Sequence, residues 1–441
     1  MPSIRSLFAR LVERSPYRTV GADDQRGWWF LVAIHVGVAI CVPLFAFGGQ
    51  LGRHMQFAEL IAAVLCGALL TVVLATATGM IGMKARVPTA ILVRRTFGGN
   101  GAKIVALTLI IASFGWFGVQ TEMLVNSVCA LLKIDRGAGG TRLALTIGAG
   151  ALMSSTAIIG VRALGKVTYA AVPLLLIVIA VPATIALSRQ DLLPLLTAAP
   201  AETAYGFGTV VSVVAGSHMS AVAISPDLTR FLRTPRDVVT GTFVSFAVAL
   251  PVLLLLSALL AVVYGSADLV AVMVAAGVGA PALLVIVLAT WTSNDKNLYE
   301  SALSLSALFP RIERWQLTAI AALIGTAIAC AGIFQHFIGW LILLGLAIAP
   351  VAGVYLVDYL TARQRYADDA VVVGLRLAPF AAWAGGSLFG WLCLPVESSG
   401  PGLLTLTSVP TLDALLFAGL LQALFIGAQR LLAHGRAAAR A

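Results

Sequence analysis

Long apolar runs alternate with short polar connections along the whole chain. A helix needs about 20 mainly apolar residues to cross a bilayer. Twelve such spans are predicted, centred on 28–50, 56–80, 104–131, 143–161, 167–187, 207–225, 238–264, 269–306, 316–334, 336–357, 377–395 and 411–430. Two of them carry helix breakers inside. The first, WWFLVAIHVGVAICVPLFAFGGQLG, holds Pro43 and Gly48-Gly49; the sixth, VVSVVAGSHMSAVAISPDL, holds Gly216-Ser217-His218 and then Pro226. Broken backbone is tolerated at membrane depth where it lines a protein cavity. Interruptions five helices apart are the mark of two five-helix halves in inverted topology, with a site at the midplane. Gly and Pro also serve plain kinking and close packing, so either span alone reads equally well that way.

Composition sharpens this picture. The 441 residues are 60% hydrophobic and 11% charged, with a mean hydropathy of +0.97. Soluble domains carry about 25% charged residues. The expectation is an all-α polytopic membrane protein with about 12 transmembrane helices. It divides into an N-terminal tail (1–27), a single transmembrane domain (28–433) and a C-terminal tail (434–441). Within the domain, 28–187 forms a first repeat, 207–357 a second, and 377–433 holds helices 11 and 12. The N-terminal MPSIRSLFARLVERSPYR has no short apolar core with a cleavage site and is not a secretory signal.

The net charge of +10 is explained by topology. With the N-terminus in the cytoplasm and the spans alternating, only Arg53, Lys133, Arg136, Arg142 and Arg189 fall outside, and Lys296 lies within a span. All other Lys and Arg face the cytoplasm, which is the positive-inside asymmetry. The expected location is the plasma (inner) membrane with both termini cytoplasmic, and no nucleic-acid partner. The five cysteines (Cys41, Cys66, Cys129, Cys330, Cys393) sit in apolar spans without metal-ligand spacing. His35, His54, His218, His336 and His434 show no H-x-x-x-H pair, and no Gly-x-Ser-x-Gly elbow occurs in the spans. An intramembrane enzyme is thereby disfavoured, and any chemistry is expected within or across the bilayer.

Polar residues inside spans mark the candidate site. In SFGWFGVQTEM, Trp116 and Gln120 stand at i and i+4 on one helix face. An indole beside an amide suits a flat heterocycle, although the pair also reads as ordinary helix packing. Glu122 lies on another face with no partner assignable. The eighth span runs from an apolar stretch into TWTSNDKNLY (290–299). Its Thr292 and Ser293 could give oxygens to a hard cation or bond back to the preceding turn. Asn294 and Asp295 could reach a neighbouring helix or a substrate. Lys296 and Glu300 form an i, i+4 pair.

Six stretches together resemble the nucleobase:cation symporter family, cytosine permease branch. They are AFGGQLG (46–52), VPTAILVRRTFGGNGAK (87–103), GWFGVQ (115–120), AGSHMSA with SPDLTRF (215–231), TWTSNDKNLYESAL (290–303) and FIGWLILLGLAIAPVAGVYLVDYL (337–360). The resemblance implies a 5+5 inverted-repeat (LeuT-like) core with discontinuous helices 1 and 6, plus two C-terminal helices. It implies a monomer that imports a nucleobase, cytosine first, by Na⁺ symport. The alternatives are hydroxymethylpyrimidine, a purine, hydantoin or allantoin, and protons as coupling ion. Trp116 matches the family's stacking tryptophan, and Gln120 matches a glutamine of hydantoin-transporting relatives. Gly216 and Ser217 match contacts to the base, and Asn294 a neighbour of the substrate. Thr292 and Ser293 match Na⁺ hydroxyls, with carbonyls from Gly37, Ile40 and Ala289. His218 departs from the pattern, since family members place Phe or Trp there. It can stack, hydrogen-bond, carry a proton or simply pack.

Overall fold

The computed structural model describes residues 20–39, 42–134, 139–159, 205–309 apart from 278, 311–366 and 373–438; between 160 and 204 it describes only 177, 180–188, 194 and 197–200. The predicted tails and fifth span therefore lie largely outside the described residues. Among those described, the chain is all-helical apart from one isolated bridge, Arg26 to Leu232. The helices are α1 (Trp28–Ala39), α2 (Val42–His54), α3 (Phe57–Ala85), α4 (Thr89–Phe97), α5 (Gly99–Leu131), α6 (Gly139–Ile159), α7 (Phe207–Ser217), α8 (Met219–Ala223), α9 (Ser225–Thr229), α10 (Pro235–Thr242), α11 (Leu250–Tyr264), α12 (Leu269–Ala275), α13 (Gly279–Leu308), α14 (Arg314–Cys330), α15 (Phe337–Thr361), α16 (Leu377–Leu392) and α17 (Pro410–Ala438). A π-helical turn, Phe243–Ala249, joins α10 to α11, and a 3₁₀ turn, Ile333–His336, precedes α15.

Five of these segments are long and apolar enough to cross a membrane: Phe57–Ala85, Gly99–Leu131, Pro235–Tyr264, Ile333–Thr361 and Pro410–His434. Their outer faces stay apolar, as with the exposed Leu69 and Val73 of α3. Hydroxyls turn inward and bond back one turn, as Thr71 does to the Gly67 carbonyl at 2.8 Å. That arrangement satisfies polar groups without water.

Of the two predicted interruptions, the sixth span is broken within the described residues. The sixth divides at His218, whose φ of −110° and ψ of 4° separate α7 from α8. The first is described as α1 and α2, and the expected interruption there lies on residues 40 and 41, outside the described set. Gly48 and Gly49 do not interrupt anything. They lie mid-helix, and a Cβ on Gly48 would come 2.5 Å from the Leu254 carbonyl of α11. Their role is close approach of α2 to α11. The predicted eighth span also needs correction. The chain turns at Gly277 (φ +82°), so that α12 and α13 are separate helices.

On the basic face, the connection after α15 is clamped to its neighbours. Asp358, fully buried, receives the guanidinium of Arg365, the Tyr366 hydroxyl at 2.8 Å and the Gln422 amide of α17 at 2.9 Å. Tyr366 also meets Thr96 of α4 at 2.6 Å. Burial, then the Asp358 charge, holds the Tyr366 phenol well above its ordinary range, so it remains a donor.

Candidate functional site

Helix α5 supplies the first wall. Gly115 lets α15 approach so closely that a Cβ there would sit 2.1 Å from the Trp340 ring. The neighbouring Trp116 is half-buried and meets Phe337 edge to face, with centroids 6.0 Å apart. One turn on, Gln120 is buried, and its Oε1 has no hydrogen-bond partner among the described residues.

The broken sixth span supplies the second wall. The Ser217 hydroxyl lies 2.7 Å from the Val214 carbonyl and 2.7 Å from His218 Nδ1. A carbonyl only accepts, so the single hydroxyl proton goes to Val214. Ser217 then accepts from Nδ1–H, which leaves Nε2 of His218 as an acceptor. The His218 ring meets Phe246 of the π turn edge-on at 5.7 Å, and His35 of α1 lies against the same phenyl at 4.8 Å.

These walls enclose a cavity of about 660 Å³. Trp116, Gln120, Ser217 and His218 all line it, and the sequence had singled out each of them. The cavity continues past Ala221, Ile224 and Asp227 to the exposed Arg94, Asn100 and Lys103, where it opens on the basic face. Asp227 is engaged there, accepting from the Thr89 N–H at 2.7 Å at the start of α4. The other end is shut by aromatic side chains. Phe47 and Phe337 are buried with centroids 6.3 Å apart, and Phe334 lies 5.8 Å from Phe337. Glu122 finds its partner here: its carboxylate accepts from the Phe334 N–H at 2.7 Å and ties the turn before α15 to α5.

Two of the expected contact residues, Gly216 and Asn294, are not among the residues lining this cavity. Gly216 faces α15, where a Cβ would come 2.9 Å from the Leu341 carbonyl, so it serves helix packing. Asn294 is fully buried away from the cavity. Its amide nitrogen reaches the Phe117 carbonyl at 3.3 Å, Thr121 at 3.2 Å and the Met153 sulfur at 3.1 Å, and its oxygen accepts from Asn297 at 3.2 Å. Asn297, one turn on, does line the cavity. For the expected cation site, Ile40 lies outside the described residues, as do the side chains of Ala289, Thr292, Lys296 and Glu300. Gly37 lies within α1, and Ser293 is half-buried in α13. Among the described residues no cluster of His, Cys, Asp or Glu could hold a metal. Reasoning from sequence missed His35, Ser220, Ser245, Phe246 and Phe337. A 3.6-residue periodicity cannot reveal a π turn, and an aromatic or serine in a span carries no distinguishing signal.

A cavity beside a broken helix, walled on both sides within the membrane and open to one face, defines a membrane transporter. The family described as "Permease for cytosine/purines, uracil, thiamine, allantoin" matches residues 22–383, and the chain belongs to it. The cytosine permease of Escherichia coli K12 is 30% identical over 347 residues, spanning 79% of this chain and 81% of that protein. The hydantoin permease of Microbacterium maritypicum is 24% identical, spanning 78% and 75%. Two solved structures of Mhp1, a nucleobase-cation-symport-1 family transporter, cover 96% of both chains at 20% identity. One is closed with bromovinylhydantoin bound, the other inward facing, and their TM-scores are 0.74 and 0.76. The fold is the 5+5 inverted-repeat core.

Proposed function

We propose that the protein imports a nucleobase, cytosine first, by Na⁺ symport with alternating access. The observation that carries this reading is the Trp116–Gln120 pair, which presents an indole and an unsatisfied amide oxygen to one cavity. An unpaired buried acceptor costs about 1–3 kcal/mol, which a ligand N–H would recover. His218 Nε2 offers a second acceptor. A flat, neutral ring with N–H donors on its edge matches both, and cytosine is such a ring. The deep end of the cavity carries no formal charge among its described lining residues, which favours a neutral ligand.

Na⁺ is assigned to Gly37, Ile40 and Ala289 carbonyls with the Thr292 and Ser293 hydroxyls. Helix α13 touches α2, so an ion between the first and eighth spans would link the two halves. Bound Na⁺ favours the outward-open form, the base then stacks on Trp116, and the assembly rocks to release it toward a cytoplasm on the basic face. The driving force is differential affinity between two conformations. The working unit is a monomer, with both termini cytoplasmic. A hydantoin is the second reading, favoured by Gln120 and by the likeness to a hydantoin permease.

The test is uptake of radiolabelled cytosine into proteoliposomes, with an inward Na⁺ gradient and with K⁺ in its place. Saturable uptake that requires Na⁺ is expected. Uptake indifferent to Na⁺ would overturn the coupling ion, and uptake of labelled hydantoin without cytosine would replace the substrate.

A further inference from the structure

Buried hydroxyls in this membrane domain follow a rule. Thr71, Thr96, Ser257, Thr290 and Ser301 each donate to the carbonyl four residues back, at 2.7–3.0 Å. That bond quenches a polar group at membrane depth. Thr89, near the open end of the cavity at the start of α4, breaks the rule, and at the deeper end Ser220 and Ser245 do so. Both line the central cavity, and neither Oγ has a hydrogen-bond partner among the described residues. Ser245 is 3% exposed. It belongs to the π turn, where the Leu250 N–H bonds five residues back, to the Ser245 carbonyl. Widened turns of this kind concentrate at functional sites. Ser220 stands two residues beyond His218, and Ser245 precedes Phe246, whose ring meets His218 at 5.7 Å. The hydroxyls of Ser220 and Ser245 thus belong to the two elements that join at the His218–Phe246 contact.

We infer that Ser245 and Ser220 form a second polar subsite, which hydrogen-bonds an exocyclic oxo or amino group of the heterocycle and so sets substrate specificity. The inference rests on the heterocycle-transport reading and deepens it. Trp116 accepts any flat ring, because stacking tolerates every π-face. A hydroxyl left unpaired by the wrong ring edge penalises that ring, because the polar group stays desolvated without a partner. No group among the described residues offers these serines a bond, whereas Ser257, on the same span as Ser245, is quenched by Leu253.

The test measures binding to purified full-length protein in nanodiscs, by titration calorimetry with Na⁺ present. The probes are cytosine, 2-pyrimidinone, which lacks the amino group, and 4-aminopyrimidine, which lacks the oxo group. Wild type is compared with Ser245→Ala, Ser220→Ala and, as control, Ser257→Ala. Losing one neutral hydrogen bond weakens binding by about 3- to 10-fold. Ser245→Ala is expected to weaken cytosine by that factor and to leave one of the two analogues unchanged. Ser257→Ala is expected to leave all three affinities unchanged. Equal weakening of all three probes by Ser245→Ala, or no weakening in either cavity variant, overturns the subsite while the transport reading stands. If wild type binds none of the probes, the reading and the subsite fall together. Ser245→Cys, which keeps the side-chain size, replaces the alanine variant if that one does not fold, and the same expectations apply to it.

Discussion

At the scale of single residues, the structure divides the polar side chains of the spans into those that face the cavity and those spent on helix contacts. Trp116 is of the first kind. Removing a stacking ring is worth about 1–3 kcal/mol per base, so Trp116→Ala should weaken ligand binding by about 5- to 150-fold with little change in melting temperature. Equal affinity in that variant would remove the stacking assignment. Asn294 is of the second kind. Its amide joins α13 to α5 and α6 through three contacts and accepts a fourth from Asn297 of its own helix. Asn294→Ala should lower stability by about 1–3 kcal/mol, because it leaves buried partners unpaired. At saturating ligand, its selectivity should match wild type, which competition uptake would check. His218→Phe separates two roles of one ring. A phenyl keeps the edge contact to Phe246 but abolishes the Nε2 acceptor. Transport should persist with altered selectivity, and an unchanged competition profile would reduce His218 to packing.

At the scale of elements, the sequence was most legible where physical chemistry forces a pattern. The position of the broken sixth span was readable, because a bilayer punishes irregular backbone and so makes Gly-Ser-His in mid-span conspicuous. What those breakers do was not readable. Gly216 and Gly48 look alike as letters, yet each sits against a neighbouring helix rather than at the break. The facing carbonyls, Leu341 and Leu254, come from elements more than 100 residues away, and periodicity within a helix carries no information about them. The turn at Gly277 was hidden for a related reason: the flanking residues are apolar enough to read as one span. Gly48 gives the decisive comparison between hinge and packing. A Cβ there would also come 2.8 Å from Ser257 Cβ, and overfilling of this kind costs about 1–3 kcal/mol. Gly48→Ala should therefore lower the melting temperature, and the surviving folded protein should keep its ligand affinity. A normal melting temperature with lost transport would restore the hinge reading.

At the scale of the whole molecule, the cavity is open to the basic face and closed by Phe47 and Phe337 on the other. The aromatic closure and the Glu122 contact to the Phe334 N–H belong to one side. The Asp358 clamp, which binds α4, α15 and α17, belongs to the opposite side. An alternating-access cycle must open the first of these sides while closing the cavity past Ala221. That movement can be read from a single cysteine. In a background with the five native cysteines replaced, Ala221→Cys would sit on the cavity wall. Leu403→Cys, at a position 70% exposed in the connection between α16 and α17, would report the other face. A membrane-impermeant maleimide added from the basic face should label position 221, and added from the other face it should label only position 403. Na⁺ should slow labelling at 221, because a ligand that prefers the outward form depletes the inward one in proportion to its differential affinity. If Na⁺ leaves that rate unchanged while uptake requires Na⁺, the ion does not act by shifting this equilibrium. Labelling of position 221 from both faces at equal rates would describe a pore, and the rocking mechanism would fail.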